Sequence, residues 1–321
     1  MSHNIDSMAY VGEVPWHGLG VNLGEQDAMI AGERMLRAAG LDWEVKLGAV
    51  YDVNGNEIPD YFGVHRLDSG KVLGIVGGRY HPIQNEELFG IPDVLVDEGI
   101  CGYHTAGSLR EGRIVWALAK LGEFSITRLD GSSDPVRRYL LWSSRHDGKG
   151  HVVGGFTDVR VVCNNTLDAA MAGGLTNRVK IRHTAGGPGR LAEAHRVFGQ
   201  ILAQGTKHEE LFQELASTPF SRDAMREFSE TWLDSIGNNS KQVDKRRKEV
   251  DELIALFDGG QGNTGESLWD AYNSVTEWLD HHKARYHGAT ERAKAEKKME
   301  STFFGAAREK KSRALALLRK R

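Results

Sequence analysis

Basic side chains crowd one stretch of the chain. Between Arg160 and Arg196 stand Arg160, Arg178, Lys180, Arg182, Arg190 and Arg196, against only Asp168 and Glu193. Lys180 and Arg182 alternate with Val179 and Ile181, so the two cations share one face of a strand and the apolar pair shares the other. Cations on a sheet face can follow the phosphates of a nucleic-acid backbone. A second segment has related chemistry. In Gly77-Gly78-Arg79-Tyr80-His81-Pro82 the glycines let backbone approach a phosphate, Arg79 brings charge and Tyr80 a stacking face. Tyr139 and Phe156 are further stacking candidates. The same stretches also fit an ordinary solvated strand face and a bulge followed by a surface loop.

Other chemistries find less support. Cys163 shares its strand face with Val159 and Val161 and reads as an inert core cysteine, although Arg160 is near in sequence and His183 could lie on a neighbouring strand. The pairs Glu86-Glu87 and His281-His282 and the run His208-Glu209-Glu210 lack metal-site spacing, and H-E-x-x-H, C-x-x-C and G-x-S-x-G are absent. The glycine-rich turn Thr184 to Arg190 precedes an amphipathic helix from Leu191 to Leu202 and could meet an anion. It has neither the Lys-Ser/Thr of a Walker loop nor the G-x-G-x-x-G spacing. The sequence therefore assigns no catalytic residue, no metal and no cofactor, and is read as that of a binding protein, not an enzyme.

Elements must hold these groups in place. Gly154 to His183 reads as a strand through Cys163, a polar turn at Asn164-Asn165-Thr166 capping a short helix Leu167 to Ala172, a stop at Gly173-Gly174, and a strand through His183. Upstream, residues 1–24 form an extended arm containing Pro15-Trp16-His17-Gly18-Leu19-Gly20. A helix from Glu25 to Ala39 follows, with Met29, Met35, Leu36 and Ala39 inward. Asn54-Gly55 predicts a primed hairpin turn, and Asp68-Ser69-Gly70 a second turn. Val72 to Val76 is a strand, and Gln84 to Leu95 a helix that Pro92 should kink or interrupt. Tyr103 to Leu109, Arg113 to Leu121 and Val136 to Ser144 alternate as strands, separated by Arg110-Glu111-Gly112 and by a loop from Asp130 to Pro135. Arg145 to Gly150 reads as a basic, flexible loop. Beyond Thr206 the pattern is helical: Glu209 to Ala216, Arg222 to Ile236, Lys241 to Phe257, Glu266 to Tyr286, and Ala289 to Leu318 with a break near Gly305. Leu268, Tyr272, Val275, Leu279, His282 and Tyr286 form a heptad-like stripe suited to a helix seam. The predicted fold is α+β. An N-terminal twisted, mostly antiparallel sheet with helices (25–205) is followed by an all-helical C-terminal region (206–321) that covers the sheet or mediates self-association.

The totals are consistent with this. The chain has 321 residues and a formal charge of −3, yet from Lys283 to Arg321 there are 13 Lys/Arg against 4 Asp/Glu. A basic C-terminal segment on an otherwise acidic chain, with Lys245-Arg246-Arg247-Lys248 before it, points to a polyanionic partner. No apolar run reaches membrane-spanning length, no leader pattern opens the chain, and two cysteines suit a reducing compartment, so a cytoplasmic protein without a membrane partner is expected.

The chain also resembles the phage/plasmid-like proteins of a domain-of-unknown-function family found in prophages, phages and mobile plasmids of bacteria. Matching segments are Ile5 to Tyr10 with Pro15 to Gly20, Val76-Gly77-Gly78-Arg79-Tyr80 with Gln84-Asn85, and Arg160-Val161-Val162-Cys163-Asn164-Asn165-Thr166-Leu167. Arg182-His183-Thr184, Thr264 to His281 and Phe304-Gly305 to Leu318 match as well. A remote likeness to phage single-strand annealing recombinases implies a small sheet with helices, homo-oligomers, and DNA held in a cationic groove without cofactor. On this reading Arg160, Arg178, Lys180, Arg182 and Arg190, with Arg79 and Tyr80 as a second contact, hold single-stranded DNA, and annealing or recombination is the activity served. The alternative is a non-enzymatic structural or host-interaction protein of a mobile element that binds no nucleic acid.

Overall fold

A computed structural model describes residues 5–12, 20–24, 32–160, 165–167, 178–184, 205–237, 243–282, 294, 297–298, 301 and 305–321. The chain is mixed α+β, with sheets in the N-terminal half and helices in the C-terminal region. There are two sheets where the pattern suggested one. The smaller is a three-stranded meander of β3 (Val45–Tyr51), β4 (Glu57–Arg66) and β5 (Val72–Gly77). The larger has eight strands. It contains β1 (Ile5–Tyr10), β2 (Val21–Asn22), β6 (Gly102–Leu109), β7 (Ile114–Thr127), β8 (Ser133–Arg145) and β9 (Val152–Arg160), in the order β9-β8-β7-β6-β1-β2. Two short strands, β10 (Asn165–Leu167) and β11 (Arg178–Ile181), both pair with β9: β10 beside Asp158 to Arg160, β11 beside Val152 to Gly155. All pairings are antiparallel except β1 with β2.

Of the arm, residues 5–12 and 20–24 are described: Ile5–Tyr10 pairs with β6 and Val21–Asn22 with β1. Several expectations are corrected here. Asn165, Thr166 and Leu167, expected as a turn leading into a helix, are instead the strand β10, paired with Arg160, Val159 and Asp158 of β9; Asn164 and residues 168–172 lie outside the described residues. The hairpin at Asn54-Gly55 is not a primed turn: only Gly55 takes a positive φ (83°), and the Asp52 carboxylate accepts from the N–H groups of Asn54 and Asn56. Pro92 sits inside α2 (Asn85–Asp97) without ending it. Ser133 to Pro135 belong to β8, and the loop shrinks to a turn in which Arg128 N–H donates to Ser132 O. Residues 25–31, with Met29, lie outside the described residues, while Met35, Leu36 and Ala39 are buried on and just after α1 (Gly32–Ala38).

β7 reads Ile-Val-Trp-Ala-Leu-Ala and is buried on both faces, which explains the near-continuous apolar run. Val115, Ala117 and Ala119 face α1 and α2, where small side chains let the helices approach; Ile114, Trp116 and Leu118 fill the other face. Trp142 lies directly over Gly154, its register partner on β9, and a Cβ at that glycine would fall inside the indole. Gly154→Ala should therefore cost about 2–3 kcal/mol by overpacking. A guanidinium midpoint equal to that of the parent would show that Trp142 has room to move.

Among the described residues the helical region has α3 (205–217), α4 (Arg222–Ser235), α5 (Val243–Gly259), α6 (Leu268–Glu277) with a π turn at Trp278–His282, and α7 (Ala306–Leu318), with residues 294, 297, 298 and 301 also helical. These helices build a second core, and Ile126 and Val136 from the far end of the β7–β8 hairpin enter it, so the helical half packs on the sheet. Polar contacts fix the joint. Arg138 donates to Asp158 (2.9 Å) and Glu209 (2.8 Å), Trp269 Nε1–H donates to Asp134 (2.8 Å), and Arg128 to Asp270 (2.9 Å). The expected stripe on α6 proves too narrow. Every residue from Leu268 to Asp280 is buried, which makes α6 the central helix. The π turn then rotates His282 off the inner face, and its side chain is half exposed. Tyr286 lies outside the described residues. The basic segment is not simply a solvated tail: Lys311 on α7 is fully buried and paired with Asp280.

Candidate nucleic-acid interface

The two sheets meet at an open cleft of about 910 Å³. One wall is the end of the small sheet: Asp60 and Tyr61 on β4, Ile75 to Gly77 on β5, and Gly78, Arg79 and Tyr80 beyond it. The other is Gly148, Gly150 and His151 of the β8–β9 loop with Arg182, His183 and Thr184 after β11. Local chemistry sets each piece. Tyr80 N–H closes a turn on Gly77 O (2.9 Å), and His81 N–H donates to His183 O (3.0 Å), which ties the two walls together. The Tyr80 ring stacks on His183 at 4.9 Å and 12°, and its hydroxyl donates to Arg145 O at 3.3 Å. Burial raises the Tyr80 phenol well above its usual range, so it is a neutral donor. Asp60 holds φ 64°, a left-handed conformation that Asp tolerates better than most residues. Register puts Tyr61, Gly63, Ile75 and Gly77 on the outer face of the small sheet, where Tyr61 is 54% and Ile75 61% exposed.

The segment Arg145 to Gly150 is built in, which corrects the flexible-loop reading. His146 and Asp147 are buried because the β5 backbone at Gly74 rests against Asp147, an approach only glycine permits. Gly148 (φ 73°) likewise sits against Val76. Burial pulls the Asp147 pKa upward, but hydrogen bonds from Arg145 and from Lys149 N–H outweigh it and hold the carboxyl below its ordinary range. The Arg145 charge is thus committed to Asp147.

His183 is 5% exposed, and neither ring nitrogen makes a hydrogen bond. Burial, then the charge of nearby His151, push its pKa down to about 4; the main chain of His81 acts in the opposite sense without closing a bond. The imidazole is neutral near pH 7 and offers one donor and one acceptor. Arg79 and Arg182 are exposed and have no ion pair or hydrogen bond through their guanidinium groups among the described residues. Both guanidiniums therefore line the cleft as uncommitted cations, together with Tyr61 and Tyr80. The thiol of Cys101 is buried and pushed up to about 12, which makes it a poor nucleophile.

Of the residues singled out in the sequence, Arg79, Tyr80 and Arg182 come together here. Lys180 is exposed on β11, two residues from Arg182. Arg178 opens β11 opposite Gly155, and Arg160 closes β9 five positions further on, so the two backbone positions are set apart along β9. Arg190, Cys163 and the Trp16-His17 pair lie outside the described residues. Phe156 and Tyr139 are not stacking groups: at 4% and 6% exposure they are core, Phe156 under the helices and Tyr139 against His104. Sequence reasoning missed Asp60, Tyr61 and His183 as members of the cleft. The alternation Tyr61-Gly63-His65 in the small sheet is the signal that could have exposed Tyr61.

Fold and cleft together define an α+β protein with a cationic and aromatic cleft between two sheets. The chain belongs to the family described as Domain of unknown function (DUF932), whose model matches residues 72–319. That span takes in every part of the cleft except Asp60 and Tyr61. No curated protein and no solved structure matches the chain.

Proposed function

We propose that this is a phage- or plasmid-encoded protein that binds single-stranded DNA and serves annealing or recombination as a homo-oligomer. The observation that supports the reading most is the convergence of Arg79 and Arg182 in one cleft, both without partners among the described residues, beside Tyr80 and Tyr61. Arginines left unpaired near an exposed aromatic ring, that of Tyr61, suit phosphates and unstacked bases, and need no cofactor. Lys180 extends the cationic edge towards β11, and Arg160, Arg178 and Arg190 remain candidates for contacts outside the cleft.

Anisotropy of a labelled single-stranded oligonucleotide across a salt series tests this, with duplex as comparison. Binding should favour the single strand and weaken steeply with salt. The Arg79→Ala/Arg182→Ala protein should bind at least tenfold more weakly, with the salt slope reduced by about 1.4, roughly 0.7 for each lost phosphate contact. Absence of binding at low salt overturns the reading and leaves the structural or host-interaction role.

A further inference from the structure

The cleft contains more than a generic phosphate track requires. His183 is nine-tenths buried in its wall, with both ring nitrogens lacking hydrogen bonds. A buried imidazole left that way is costly, and such a group usually meets a ligand or water that the fold itself does not supply. His183 stands beside Arg182 in sequence and lines, together with Arg79, a space of about 910 Å³. A cleft of that size has room for a terminal nucleotide.

The charge arrangement narrows the ligand. A phosphodiester carries one negative charge, whereas a terminal phosphate carries about 1.5 to 2 at neutral pH and has three oxygens free to accept. Two unpaired guanidiniums with a neutral N–H donor match the latter in charge and in acceptor number. Asp60 repels a phosphate from the β4 wall, which favours the Arg79 and Arg182 side. On the β4 wall Tyr61 presents a half-exposed ring on which the terminal base can stack.

We propose that the cleft is an end site, which takes the terminal phosphomonoester of a single strand between Arg79, Arg182 and His183 and seats the terminal base on Tyr61. This rests on the single-strand reading above and adds the chemistry of the end to it. The same chemistry is present at a 5′ or a 3′ phosphate, and the experiment separates them.

Three oligonucleotides of one sequence, bearing a 5′ phosphate, a 3′ phosphate or hydroxyls at both ends, are compared by competition against a labelled strand. One phosphorylated strand should compete about tenfold better than the hydroxyl strand. Arg182→Ala should abolish that preference. His183→Phe keeps the stack on Tyr80 but removes the N–H, and should reduce the preference several-fold. Arg79→Ala changes an exposed side chain that the fold does not use, and should reduce it as well, so the test survives if the His183 variant fails to fold. Equal, tight competition by all three strands overturns the end site and leaves single-strand binding standing. No competition by any of them overturns both.

Discussion

Lys311→Ala should lower the stability of the protein by about 3 kcal/mol, among the largest losses expected of any single substitution. Lys311 is 0% exposed, and its ammonium lies 2.7 Å from both oxygens of Asp280, itself 4% exposed on the π turn. Neither charge can reach water. Removing the lysine leaves a carboxylate buried under α7, with only part of its compensation left in Lys298, whose pKa burial already lowers. The pair itself need not be strongly stabilising, since the desolvation of both ions offsets most of their attraction. The double variant Asp280→Leu/Lys311→Met should therefore recover most of the loss. Urea unfolding of the two variants beside the parent checks both points. A Lys311→Ala midpoint near that of the parent would mean that Asp280 finds water or a proton easily.

Acid should unfold the protein from a pH well above the carboxylate range. His146 is fully buried. Asn85 spends its amide N–H groups on the carbonyls of Leu41 and Trp43, so its Oδ1 can only accept, and His146 Nε2–H donates to it at 2.9 Å. Trp43 packs edge-on at 5.4 Å. Burial, then the charge of His183, push the His146 pKa from 6.5 to about 3. A folded pKa below the unfolded one gives stability that is fully present above pH 6.5. It is lost as the pH falls, because the unfolded chain binds the proton first, and the loss is complete near pH 3. For His146 alone the loss is on the order of 4 kcal/mol, and His183 adds to it over a narrower window. Denaturant midpoints measured from about pH 7.5 down to about pH 5 should fall progressively before most carboxylates titrate. His146→Gln should flatten that slope. A pH-independent midpoint down to about 5 would show that His146 is solvated or already charged in the fold.

Much of the sheet was legible because its signals are local. Alternation marked Tyr103 to Leu109 and Val72 to Val76, and Arg110-Glu111-Gly112 forms the expected turn, with all three residues at positive φ. What failed was what distant parts of the chain decide. Arg138 and Asp134 look like surface charges in sequence, and are buried only because α3 and α6 supply Glu209 and Trp269. Lys311 looks like one more cation of a basic tail until Asp280 arrives from another helix. The same applies to the cleft. Arg79 and Arg182 were each visible as cations, but their meeting depends on the His81–His183 main-chain bond between two sheets, which no spacing encodes. His183 alternates like a strand residue, and its missing hydrogen bonds emerge only from packing.

The far end of the β7–β8 hairpin has a consequence for synthesis. Phe124, Ile126 and Val136 lie on an earlier part of the chain than the helices that cover them, and α7, which closes α6 and α4, is made after both. While the ribosome is still working, that end of the hairpin is a greasy, half-finished surface beside an otherwise paired sheet, the kind of surface that chaperones hold and that aggregates in their absence. A chain released before α7 would keep its small sheet and first core yet lose the partner of Asp280. Termination ahead of α7 should thus give an insoluble product, not a shorter working one.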